Sequence, residues 1–377
     1  MTASESSLHT RFAALRPEAA GEGFQQVHFT ALGSACGLFF HAPTVADAEA
    51  FVRKALHWLA RFEARWSRYL PDSHLSLINA RAGTGEWTET DPELEAMLAL
   101  CDHYHFSTRG IFDATSLPLS RLWDWRKPHP ALPVRAEVEA ARALVGWEKV
   151  ERGPGRIRLG VSGMQLDLGG VGKEFAVDCL TTLAKACGIT RVMVDLGGDI
   201  AVLGEPPEGG SWYIGLEDPA DPGRTFCGIR LRGGWAVATS GDYRRRFEVE
   251  AKTYGHIIDS RTGWPVAHGT RACTVIANRC TTAGLLSTTA MVLGGLEAIA
   301  LLDRTPGVEG CLWHRGRLCE SRGFRRAVLP AGWEDEAADG AEDVPNEKAE
   351  AAENRTEDCA DHSVRTTFGG PLFAHGP

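Results

Sequence analysis

Nowhere does this 377-residue chain hold an apolar run near the roughly 20 residues needed to span a bilayer. Its first residues, Met1-Thr-Ala-Ser-Glu-Ser-Ser-Leu, lack the basic start and apolar stretch of a secretory leader. No membrane insertion is expected. The ten cysteines include no pair at C-x-x-C spacing and no His-Cys cluster suited to zinc, which argues against both a metal framework and a disulfide one. A cytoplasmic, reducing setting is therefore expected. Charge of one sign is also missing from most of the chain. The net charge is -9, but twelve Asp and Glu against three Lys and Arg lie beyond Gly332, so the preceding body is close to neutral. Without a general basic face, nucleic acid is not an expected partner.

What is present is the composition of an ordinary globular protein, 44% apolar and 24% charged. The first 24 residues are polar and Ala/Glu-rich and read as a flexible arm; residues 25–331 read as one folded unit, and 332–377 as a disordered acidic tail. Residues 26–41 read as strand, turn, strand. Asp47 to Ser67 carries apolar residues at helical spacing behind Thr44, and Asp91 to Ser107 does the same. Residues 134–147 predict a short helix and 156–167 a hairpin. Strand-like segments follow at 191–204, 211–217, 226–232 and 235–239, then a helix over Thr281 to Gly294 and a closing hairpin within 308–329. A strand-rich centre with flanking helices predicts an α+β fold.

The organising stretch is Leu166-Asp-Leu-Gly-Gly-Val-Gly-Lys-Glu-Phe-Ala-Val-Asp178, an apolar strand entering a glycine cluster and then a helix that begins near Lys173. Glycines admit close backbone approach, and the first helical N–H groups and the helix dipole favour an anion. A phosphate or pyrophosphate is the expected occupant. A Walker loop is excluded, because Asp167 stands where its first glycine belongs and Glu174 follows the lysine. A dinucleotide fingerprint fails at Phe175. The alternative is a strand-to-helix turn whose glycines serve only packing.

Three other clusters carry chemistry. In Gly110-Ile-Phe-Asp-Ala-Thr115, Asp113 and Thr115 precede Trp123 and Trp125, a set able to hydrogen-bond and stack a heteroaromatic ring. Asp-x-Thr is equally ordinary turn chemistry. Trp66-Ser-Arg-Tyr, with Ser73 and Asn79, packs aromatic, hydroxyl and amide groups together, and capping under an aromatic lid explains it as well. Thr239 and Ser240, the run Arg244 to Arg246, and His256 bring hydroxyl, guanidinium and imidazole into a short span that could manage a phosphoryl group. A hairpin with solvated arginines and His256 at its edge explains the same residues.

Taken in order, these motifs resemble those of the FAD:protein FMN transferase family, ApbE, from about Phe29 to about Gly294. The carrying elements are Ser67-Arg-Tyr, Gly110-Ile-Phe-Asp-Ala-Thr115, Leu166-Asp-Leu-Gly-Gly-Val-Gly-Lys173, Leu196-Gly-Gly198, Thr239-Ser-Gly-Asp-Tyr243, His256-Ile-Ile-Asp-Ser-Arg-Thr-Gly263, and Ala283 with Thr288 and Gly294. The resemblance implies an α+β fold that binds FAD and, with Mg²⁺, passes its FMN half to a Thr or Ser hydroxyl of an acceptor flavoprotein. By matching position His256 is implied as the base and Asp113 as a flavin-nucleotide contact with Thr115 beside it. Lys173, Thr239 and Ser240 would lie along the phosphates, with the Gly170 carbonyl and the Thr288 hydroxyl on the metal. One departure touches the chemistry: the family reads Ala-Asp-Ala where this chain has Ala283-Gly-Leu285, so a metal-binding carboxylate is missing. Two others are Ser34 for Thr and Glu174 for the Gly after the lysine; Glu174 and Asp199 are the candidates for a substitute carboxylate, though nothing in the sequence places either near Gly170. A degenerate homologue that binds flavin without transferring it is the alternative, and a partner-binding scaffold without nucleotide a third reading.

Overall fold

The computed structural model describes residues 2–127, 131–250, 252–329 and 364–365. Its centre is a nine-stranded sheet in which spatial order follows chain order and every neighbouring pair is antiparallel. The strands are β1 (Glu18–Ala19), β2 (Phe24–Ala31), β3 (Ser34–His41), β4 (Val192–Leu196), β5 (Asp199–Leu203), β6 (Ala236–Gly241), β7 (Thr270–Ala277), β8 (Glu309–His314) and β9 (Arg317–Glu320). Helices and small hairpins are inserted between these strands, so segments distant in sequence meet at their ends.

Alternation along the strands fixes the layers. Val192, Val194 and Leu196 join Leu38 and Phe40 in one core with the helices Val45–Trp66 and Gly172–Ala186. Met193, Ile200, Val202 and Phe39 face the other way, onto the hairpin of Trp212–Glu217 and Thr225–Leu231. The helix Cys280–Leu293 packs on β6 and β7 through Ala283, Leu286, Ala290 and Met291, beside Ala238, Cys273 and Val275. The expected α+β architecture, with strand-rich sheets and helices flanking them, is therefore present. The segment read as a strand broken by glycines is a tight hairpin of β4 and β5, with Gly197 at φ +69 and Gly198 at φ +87. Positive φ at both central residues is what a two-residue turn matching the strand twist requires.

Two expectations change. Residues 1–24 are not simply an arm: Ala3–Ala13 is a helix capped by Thr2, and β1 follows it. Leu8 and Phe12 lie four residues apart on one face, both are buried, and Phe12 meets Phe29 edge-on at 5.9 Å. The hairpin expected at 156–167 is shifted to Val150–Gly153 and Arg156–Leu159, and no regular strand leads into the glycine cluster. Instead Asn79 replaces the missing strand partner. Its Nδ2 donates to Leu166 O at 3.0 Å, its Oδ1 accepts from Leu166 N at 2.7 Å, and Asp167 N donates to Ala114 O at 2.7 Å. The acidic tail lies outside the described residues except for Val364–Arg365, which pairs with Trp212–Glu217.

Candidate functional site

The sequence motifs dock on one another pairwise. Arg68 pairs with Asp167 at 3.0 Å, joining the Ser67-Arg-Tyr segment to the glycine loop. Ser260 Oγ donates to the carbonyls of Gly110 and Ile111 at 2.7 and 2.8 Å, and Trp123 Nε1 donates to Gly263 O at 2.8 Å. The segment after His256 is thus fastened to the Asp113 loop. Asp178, on the helix that opens at Gly172, accepts from Cys280 N at 2.9 Å, Thr281 N at 3.2 Å and Thr281 Oγ1 at 2.8 Å. Arg279, at the helix's own cap position, makes no side-chain cap. The two helices of the site are locked together at the N-terminus of the second.

Lys173 is the second residue of the Gly172–Ala186 helix, and its ammonium pairs with Asp199 Oδ2 at 2.8 Å. Burial pulls the ammonium down, but Asp199 and Glu174 outweigh that and raise it above its ordinary value. Arg245 is close enough to oppose this charge, which brings the stretch before His256 toward the same region. Ser34 closes the other side: a side chain at Gly197 would meet its Cβ at 2.6 Å, with Lys173 Nζ at 3.8 Å. Gly170 lies in the exposed turn just before this helix, against the Phe112 ring.

A row of hydroxyls forms the second part. Ser240 Oγ lies 2.8 Å from Ser287 Oγ and 2.9 Å from Thr288 Oγ1, while Ser287 donates to Gly284 O at 2.9 Å. Thr239 turns to the neighbouring strand, 2.9 Å from Thr274 Oγ1. Glu174 joins the two parts: a Cβ built on Gly284 would lie 2.5 Å from both Glu174 Cγ and Oε1. The Glu174 side chain therefore fills the space a residue at 284 would take. It is buried, and its Oε2 has no hydrogen-bond partner among the described residues. Burial first, then the charge of Asp199, push its carboxyl up against the pull of Lys173.

Among the described residues Asp113 and Thr115 share no hydrogen bond with the hydroxyl row. Asp113 Oδ1 accepts from Thr115 N and Oγ1 at 2.8 and 2.5 Å, and its Oδ2 accepts from Trp147 N at 3.1 Å. Thr115 Oγ1 accepts from Gly146 N at 2.7 Å. Their polar atoms brace a loop, and Asp113 lines a cavity of about 400 Å³ with His105, Arg142, Lys149, Ser260 and Arg261. Trp123 is buried against Phe247, Tyr254 and Trp264 and presents no open ring. Tyr69, 61% exposed, has the guanidinium of Arg68 at 4.8 Å and that of Arg126 at 5.0 Å over its ring.

His256 follows the hairpin Arg246–Val249 and Lys252–Gly255, and its Nδ1 lies 3.3 Å from Arg245 O. A carbonyl only accepts, so that contact is a hydrogen bond donated by Nδ1, and the neutral ring then keeps its lone pair on Nε2. Of the three arginines in the run, Arg244 grips the buried Glu217, which also accepts from Tyr243 OH at 2.9 Å. That arginine braces the fold. The sequence assigned no role to Asp178 or Ser287, and it offered Glu174 and Asp199 as substitute carboxylates without placing either. The available signal was the pairing of two departures, an acid after Lys173 and a glycine within a helix at 284.

Residues 32–312 match the ApbE family. An FAD:protein FMN transferase of Vibrio cholerae is 29% identical over 285 residues, covering 74% of this chain and 85% of that protein. One from Treponema pallidum is 29% identical over 279 residues, 70% of this chain and 77% of the other. Among solved structures, the V. cholerae flavin transferase ApbE superposes with a TM-score of 0.70 at 26% identity, covering 81% of this chain and 99% of that one. The ApbE protein of Thermotoga maritima gives 0.73 at 28% identity, covering 81% and 100%. Among the described residues no helix is long and apolar enough to cross a membrane. The motifs, the sheet that gathers them and these similarities agree: the chain belongs to the ApbE family.

Proposed function

We propose that the protein is an FAD:protein FMN transferase, which breaks the pyrophosphate of FAD and passes the FMN half to a Thr or Ser hydroxyl of an acceptor flavoprotein. The observation that carries the reading is the meeting of Lys173, on a helix N-terminus, with the row of Ser240, Ser287 and Thr288 across Glu174 and Gly284. Helix N–H groups and an ammonium suit phosphate, and phosphoryl transfer is chiefly positioning and charge stabilisation. Lys173 and Ser240 bind the phosphates in this reading, and Thr239 braces Ser240's strand. Asp113 and Thr115 serve the flavin nucleotide through the loop they hold.

In the transfer step the acceptor oxygen forms a P–O bond to the FMN phosphorus, the bond to the bridging oxygen breaks and AMP leaves. The acceptor's proton passes to His256 Nε2, the atom left basic when Nδ1 donates to Arg245 O. Mg²⁺, when bound, would neutralise phosphate charge and polarise the transferred group. The residues suit such an ion. Among the described residues no group of three or more His, Cys, Asp or Glu could hold a metal. Mg²⁺, however, takes oxygen ligands and needs few carboxylates beside substrate phosphates. Hydroxyls at Ser240, Ser287 and Thr288 and a buried carboxylate with an unpartnered oxygen are that kind of donor set. Thr288 and the Gly170 carbonyl are the proposed ligands. The cytoplasmic setting expected from the sequence belongs to the proposal.

A flavin-binding protein without transfer activity is the second reading, favoured by the glycine at 284. His256→Ala tests the first. Transfer should fall by roughly 10²–10⁴-fold with FAD affinity preserved; unchanged turnover would remove His256 from the chemistry.

A further inference from the structure

Glu174 and Gly284 break the usual rules for their positions in a matched way. Glycine inside a helix is destabilising relative to alanine, yet Gly284 sits within the Cys280–Leu293 helix and is buried. A carboxylate buried with an unpartnered oxygen is costly as well, yet Glu174 Oε2 is one. Each explains the other. With no side chain at 284, the Glu174 side chain passes over the bare Cα, at 2.5 Å from where a Cβ would stand. Thr288 follows 284 by four residues, one turn along the same helix face. Thr288 in turn lies 2.9 Å from Ser240 Oγ. The unpartnered oxygen thus belongs to a side chain that reaches across from one helix to the oxygen-bearing face of another.

The other nearby acid is already engaged: Asp199 is held by Lys173 at 2.8 Å. Lys173 has further N–H groups, but neither it nor any other described donor hydrogen-bonds Glu174 Oε2. A divalent cation held by hard oxygen ligands would satisfy it.

We propose that Glu174, reaching over Gly284, supplies the protein carboxylate of the divalent-cation site, so that the carboxylate comes from the helix after the glycine loop and Gly284 is the space it needs. This rests on reading the site as a Mg²⁺-dependent flavin transferase. It accounts for both departures at once, since a side chain at 284 and an acid at 174 cannot both occupy this space.

Mn²⁺ binding to the purified full chain, followed by electron paramagnetic resonance without nucleotide and with FAD, tests it apart from activity. Glu174→Gln keeps the shape and should weaken Mn²⁺ binding at least about tenfold. Gly284→Asp alone should lower the melting temperature of the metal-free protein, because the new Cβ collides with Glu174. The double variant Glu174→Gly with Gly284→Asp should recover both the melting temperature and Mn²⁺ affinity to within roughly threefold of the parent, as a relocated carboxylate would. Parental Mn²⁺ affinity in Glu174→Gln would overturn the inference, as would a folded double variant no better than Glu174→Gln. Metal-dependent FAD cleavage by the parent tells the two claims apart. Cleavage with Glu174 dispensable for Mn²⁺ sinks the inference alone, whereas Glu174-dependent Mn²⁺ binding without cleavage sinks the transferase reading alone.

Discussion

Asp178 should hold the site together far more than its position on a helix flank suggests. It accepts three hydrogen bonds from Cys280 and Thr281, 102 and 103 residues away, and so caps the helix that carries Gly284, Ser287 and Thr288. Replacing a capping side chain with alanine costs up to about 2 kcal/mol. Loss of a negative charge at a helix N-terminus adds about 0.3–1 kcal/mol. Asp178→Ala is therefore expected to cost about 2–3 kcal/mol, measured by urea unfolding. Against a typical domain stability of about 5–15 kcal/mol the variant stays folded, so its activity can be read. Asp178→Asn retains an acceptor oxygen and should lose about half as much. The test that separates capping from general packing is transfer activity at a temperature where both variants are folded. Activity should fall with Asp178→Ala beyond the unfolded fraction, because the first turn below the hydroxyl row is released. A change below about 0.5 kcal/mol, in the range of an ordinary surface substitution, would refute the reasoning.

Three further outcomes follow from the same contacts. Phe12→Ala should destabilise by about 3 kcal/mol, as for a buried phenylalanine; thermal unfolding with no change would mean that the first helix is not part of the core. Lys173→Met leaves Asp199 buried without its partner and should cost about 3 kcal/mol while weakening FAD binding. Adding Asp199→Asn should return the stability but not the binding, as calorimetry and FAD titration can separate. Glu63, which accepts from Leu32 N at 3.1 Å and lies 3.5 Å from Arg11, has its carboxyl raised by burial, against that hydrogen bond and Arg11. Its folded state holds the proton more tightly than the unfolded chain, whose value is near 4.5. Its contribution is thus full below that pH and lost as pH rises through the folded value. Glu63→Gln should flatten that slope in a stability-versus-pH series, and an unchanged slope would remove Glu63 as its source.

The sheet was largely legible because its strands alternate two cores. Val192, Val194 and Leu196 against Met193 is a pattern that a sequence displays on its own. The first helix was not legible as such, because only Leu8 and Phe12 break an otherwise polar stretch, and their four-residue spacing acquires meaning only once Phe29 is beside them. The apolar Leu166-Asp-Leu168 reads as a strand, but its backbone is satisfied by the Asn79 side chain and Ala114, partners that periodicity does not reveal. At the site, residue types and order suggested a phosphate loop, hydroxyls and a histidine. What they could not give was which atoms are already spent. Asp113 is occupied by Thr115 and Trp147, Arg244 by Glu217, and Lys173 by Asp199. Gly284 and Glu174 were both visible as separate departures from the family pattern. Only the fold shows that they are one contact.

The central claim is best tested by incubating the purified chain with FAD, with and without Mg²⁺, and separating the nucleotides by chromatography. The account predicts Mg²⁺-dependent AMP, with FMN appearing either free, where water is the acceptor, or linked to a Thr or Ser when an acceptor flavoprotein is supplied. Tight FAD binding with no AMP at any Mg²⁺ concentration would contradict it and leave a flavin-binding protein in its place.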